Sequence, residues 1–165
     1  MSVKLRGPVV LGLHPTSKGF GWVVFRGPDA PIDWGLASAR SRRPARLLSR
    51  FERILNRHEP VILVLEVFEH SERIERIKIF CREIVHVAGC KGIRTQTLLA
   101  KEVQKHFLQQ GARTRHEIAS AVAQHMEAFA HRLPPKRRAW MSLDPRRSLF
   151  DAAALVITYF AALEG

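Results

Sequence analysis

The stretch PVVLGLHPTSKGFGWVVFRG, Pro8 to Gly27, decides how the rest of the chain is read. Val9 to Leu13 is a short apolar strand, and Phe20 to Phe25 continues with the aromatic and β-branched residues that suit pairing with it. HPTSKG between them supplies the turn, so the segment is a β-hairpin. RGPDAP provides Gly and Pro for a second turn, after which Ile32 to Ser38 (IDWGLAS) adds a third antiparallel strand. Three strands therefore precede any helix.

From Pro44 the period changes. Leu47, Leu48, Phe51, Ile54 and Leu55 recur at helical spacing up to about His58, while Arg46, Arg50, Arg53 and Arg57 take other faces. PVILVLEVF follows, a nearly unbroken apolar run of the kind a strand has when helices cover both its faces. Glu66 stands at its far end. Ser71 is expected to cap a long helix with the stripe Ile74, Ile77, Cys81, Ile84, Val85 and Ala88, closed by Gly89, Gly92 or both. GIRTQT fits one more strand, and Leu98 to Gln109, Arg115 to Ala130 and Arg147 to Leu163 fit helices. HRLPPKRRAWMSLDPRR, with three prolines and a dense basic run, reads as an irregular loop. This order makes residues 1–165 a single α/β domain, a mixed five-stranded sheet with helices on both faces.

Charge and cysteine usage narrow the function classes. Lys and Arg number 27 against 15 Asp and Glu, a formal net charge of +12, which favours an anionic partner and nucleic acid above all. No apolar run approaches the roughly 20 residues that span a bilayer, and the first residues show no signal-peptide core. The expected setting is the cytoplasm, in association with the nucleoid, and not a membrane. The two cysteines, Cys81 and Cys90, share one helix without zinc-site spacing and read as buried thiols. No P-loop spacing, HExxH or supported Ser-His-Asp set is present, and the histidines from His58 to His131 are scattered as surface or phosphate contacts.

Four segments together resemble a known family. VVLGLHPTSKGFGWVVF is similar to the first hairpin of the RuvC-like Holliday-junction resolvases of the ribonuclease H superfamily. LVLEVF resembles their fourth strand, with a Glu and a Phe closing an apolar run. RTQTLLAKEVQKHFLQQGARTRHEIASAVAQHM resembles their helix, Gly-bearing turn and second helix, and SLFDAAALVITYF their last helix, where an Asp begins an Ala-rich stretch. The resemblance runs through nearly the whole chain in order. It implies a ribonuclease H-like fold, a homodimer packed across the long helix, branched DNA as partner, and Mg²⁺ or Mn²⁺ as cofactor.

It also implies a site. In such nucleases two divalent ions about 3.5–4 Å apart clamp the attacking and leaving oxygens of a phosphodiester, held by hard oxygen ligands. His14, Glu66 and Asp151 occupy the family's positions for ligands and catalytic groups. The family has Asp where this chain has His14, and an Asp or His where it has Ser148. An imidazole nitrogen binds one ion and carries no negative charge, so two of four acidic positions are altered. Asp144 and Glu69 are nearby acids outside the motif. Two readings stay open: a structure-selective endonuclease with impaired metal chemistry, or a catalytically silent module that binds branched DNA or RNA. For nucleic-acid contacts the candidates are Phe68 as a stacking ring beside the site, Lys136, Arg137, Arg138 and Trp140 in the basic loop, and Arg40, Arg42 and Arg43 at the start of the first helix.

Overall fold

The computed structural model describes residues 7–38, 44–69, 75–136 and 144–165. Five strands, β1 (Val9–Pro15), β2 (Gly19–Arg26), β3 (Pro31–Ser38), β4 (Ile62–Glu66) and β5 (Arg94–Leu98), form one sheet in the order β3-β2-β1-β4-β5. The β1–β2 and β2–β3 pairs are antiparallel, and the β1–β4 and β4–β5 pairs are parallel. The mixed sheet is thus as expected, with the hairpin contributing its antiparallel half. The helices are α1 (Pro44–His58), α2 (Glu75–Cys90), α3 (Ala100–Leu108), α4 (Arg115–His125) and α5 (Arg147–Glu164).

The two-residue alternation of strand side chains creates two cores. Leu11, Leu13, Val24, Leu63 and Leu65 pack with Phe51 and Leu55 of α1 and Cys81 and Ile84 of α2. Val10, Val23, Phe25 and Val64 face the other way, against α5, Phe107 of α3 and Val122 of α4. Helix α5 is buried almost all round, from Ser148 to Phe160 except Asp151, because it lies between the sheet and the outer helices. It rests closely on the strands. A Cβ at Gly12 would lie 2.4 Å from Val156 Cγ2 and 2.8 Å from Ala152 O, and one at Gly21 would lie 2.3–2.5 Å from backbone atoms of Ser148 and Leu149.

Two helices differ from expectation. Arg115 to Ala130 is not one helix: α4 ends at His125, Met126 leaves the helical region at φ −118°, and a 3-10 turn covers Glu127–Arg132. The break drives Phe129 into the core, fully buried, with its ring edge-on to Trp34 at 4.8 Å. Burying that ring outweighs the helical hydrogen bonds given up. Leu98 belongs to β5, and α3 begins after an extended Leu99 whose N–H is accepted by Glu102 Oε2 at 2.6 Å. The α2 exit is at Gly92 (φ +74°), where Ile93 N–H reaches Ala88 O at 2.9 Å, so Gly89 lies within the helix. The expected cap Ser71 lies outside the described residues. Cys90, the last residue of α2, is exposed, which corrects its reading as a buried thiol; Cys81 is buried as expected. Among the described residues no helix is long and apolar enough to cross a membrane.

Candidate functional site

His14 and Glu66 reach the same face of the sheet by strand alternation. In β1 the residues turned toward α5 are Val10, Gly12 and His14, and in β4 they are Ile62, Val64 and Glu66. Both strands run parallel, so both polar residues arrive at the same edge. Asp151 enters from above, in the first turns of α5, which Gly21 admits to the sheet directly beside its register partner His14. The three residues that the sequence singled out, separated by up to 137 positions, line one open cleft of about 400 Å³. His14 Nδ1 lies 3.7 Å from Asp151 Oδ2, both side chains being less than one-fifth exposed.

A fourth residue completes the site, and sequence reading missed it. Arg115, the first residue of α4, projects into the cleft and grips Asp151 with two bonds, Nε donating to Oδ1 at 3.3 Å and Nη2 to Oδ2. The local pattern explains its placement: Thr114 caps α4 by accepting the Glu117 N–H at 3.1 Å, which fixes the first turn. The TRHE pattern signals the cap, but the partner 36 residues further on is visible only once α4 packs on α5. Gln104 of α3 also lines the cleft.

Ser148 is not a cleft residue. Its hydroxyl donates to Pro145 O at 2.8 Å and its backbone sits on Gly21. Asp144 is engaged by its neighbour, with Arg146 Nη2 at 2.7 Å; that hydrogen bond holds the Asp144 carboxyl below the usual carboxylate range. Glu69 accepts from Arg82 at 3.5 Å on the surface.

The donor set can be tested against a divalent ion. Mg²⁺ and Mn²⁺ need several ligand atoms converging at about 2.0–2.3 Å. Among the described residues no three His, Cys, Asp or Glu side chains are grouped to hold one ion, and both oxygens of Asp151 already accept from Arg115. Two unit charges 4 Å apart interact by about 4 kcal/mol at an effective dielectric of 20. A dication beside the guanidinium would meet twice that repulsion, lessened by solvent because Arg115 is half exposed. His14, Glu66 and Asp151 share a cleft as expected, but in this arrangement they do not form the expected ligand set.

The remaining candidates divide. Phe68 is 7% exposed within the α1–α2 core, because the chain beyond Glu66 turns that ring to the face away from α5; it is a core aromatic here and not an open stacking platform. Lys136 is exposed. Arg40, Arg42, Arg43, Arg137, Arg138 and Trp140 lie outside the described residues. Two of the scattered histidines are tied to carboxylates instead of standing free for phosphate: His58 Nε2 lies 2.7 Å from Asp33 Oδ2 and His125 Nε2 lies 2.9 Å from Asp29 Oδ1.

No family model matches the chain, and no curated protein does. Solved structures do match it. RuvC of Thermus thermophilus superposes with a TM-score of 0.67 over 95% of this chain and 96% of its own, at 20% identity. The same protein in complex with Holliday junction substrate gives 0.66 over 96% of each chain at 19% identity. The yeast mitochondrial Holliday junction resolvase gives 0.63 over 96% of this chain and 81% of its own, at 13% identity. The chain has the RuvC-like, ribonuclease H-like fold.

Proposed function

We propose that this protein binds branched DNA of the four-way type, as a homodimer at the nucleoid, and that metal-dependent cleavage at the cleft is impaired. The observation that carries this reading is the meeting of His14, Glu66 and Asp151 at one sheet edge of a RuvC-like fold in a chain of net charge +12. Phosphate contacts from the basic loop at Lys136, Arg137 and Arg138, and from Arg40, Arg42 and Arg43, would supply the sequence-independent share of affinity. Trp140 would anchor that loop or stack on a base.

A second reading, a module with no hydrolytic activity, is favoured by one feature: the Asp151 carboxylate is committed to Arg115. Labelled four-way junction, duplex, single strand and RNA–DNA hybrid, incubated with Mg²⁺ and then Mn²⁺, separate these outcomes. The expected result is tightest binding to the junction, with slow nicking at most. Equal affinity for junction and duplex would defeat the branched-DNA reading. Rapid nicking that survives Asp151→Asn would place the chemistry elsewhere.

A further inference from the structure

We propose that Arg115 is the resident cation of the cleft: its guanidinium occupies Asp151 in place of a divalent ion and makes the free protein metal-excluding. Three observations carry this. The guanidinium contacts both Asp151 oxygens, in the forked geometry that suits a carboxylate. Asp151 is only 18% exposed and both its oxygens already accept from Arg115, so an ion that enters the open cleft must compete with that contact for them. His14, whose Nδ1 lies 3.7 Å from the same Asp151 oxygen that Arg115 Nη2 contacts, is an imidazole where a carboxylate could share charge between ions. The formal charges of Glu66, Asp151 and Arg115 then sum to two negative and one positive, and His14 adds no negative charge, which is too little to draw a dication past a guanidinium.

The consequence is that the guanidinium is the main electrostatic barrier to a divalent ion in this cleft, and removing its charge raises the affinity that the Asp151 and Glu66 carboxylates can offer. Arg115→Gln keeps a polar side chain and removes the charge, freeing Asp151 beside Glu66 and His14. Arg115→Lys keeps the charge without the fork, and a lysine that merely repaired packing would behave no differently from glutamine in a metal titration.

The inference rests on reading the cleft as a displaced nuclease site, so the experiment uses the full chain without DNA: MnCl₂ is titrated into it, with bound ion read by calorimetry and by the electron-spin signal of free Mn²⁺. Wild type and Arg115→Lys are expected to bind weakly, Arg115→Gln at least about tenfold more tightly, and Arg115→Gln/Asp151→Asn weakly again. A wild type that binds Mn²⁺ as tightly as Arg115→Gln overturns the proposal, as does a gain that survives Asp151→Asn or a folded Arg115→Gln with no gain. If Arg115→Gln does not fold, wild type alone decides: submillimolar Mn²⁺ binding abolished by Asp151→Asn refutes it, and no such binding upholds it. Junction binding, measured separately, tests the functional reading and leaves this one standing or falling on its own.

Discussion

Replacing Gly21 by alanine probes the close approach that brings Asp151 to His14. A Cβ there would lie 2.3 Å from Ser148 C and 2.5 Å from both Ser148 O and Leu149 N, against 3.4 Å where ordinary contact begins, a deficit of about 1.1 Å. All three atoms are backbone, so no rotamer change relieves the clash. The first turn of α5 must lift or β2 must bend. Overpacking of this kind costs about 1–3 kcal/mol, and the rigid neighbours put Gly21→Ala at the upper end, about 3 kcal/mol. For a chain of this size that lowers Tm by roughly 6–12 °C. Gly89→Ala is the control: its Cβ meets nothing within 4 Å, and inside α2 alanine is favoured over glycine by up to about 1 kcal/mol. Urea unfolding of wild type and both variants gives the comparison. A destabilisation below about 1 kcal/mol for Gly21→Ala, or equal effects at the two glycines, would refute the claim that close backbone approach at Gly21 seats α5.

Three further outcomes are expected. Charge reversal at Lys136, Arg137 and Arg138 should flatten the log–log salt dependence of junction binding by about 0.9 for each phosphate that the loop neutralises; an unchanged slope removes that loop from the interface. Ile79, 47% exposed on α2, should lie in the homodimer interface, so light scattering at tens of micromolar should give a dimer mass for wild type and a monomer for Ile79→Glu; a monomeric wild type defeats the assembly. Burial, and secondarily the charge of His125, lowers the pKa of His106 from 6.5. The folded state then binds fewer protons than the unfolded chain, so stability is full above about pH 6.5 and declines as pH falls toward the lowered value. Denaturation at about pH 7.5 and about pH 5.5 should show a smaller decline for His106→Gln than for wild type, and equal declines would exclude His106 as a contributor.

Much of this protein is written locally in the chain. The hairpin from Pro8 to Gly27, the double-faced apolar run ending in Glu66, and the Ala-rich helix opened by Asp151 each carry their period or turn chemistry within a dozen or so residues, and their order restricts the sheet to few topologies. Strand alternation likewise determines that His14 and Glu66 share a face. Packing between distant segments has no such local signal. The break at Met126 depends on a pocket for Phe129 that Trp34 builds nearly a hundred residues earlier. Phe68 is a core residue because α1 and α2 close over its side of the sheet. Arg115 looks like an ordinary first-turn residue until α4 docks on α5 and lays its guanidinium on Asp151. The sequence by itself thus determined the fold and the three residues that meet at its edge. Only the tertiary structure decided which cation Asp151 holds, because that depends on the packing of two helices and on no period or motif within either.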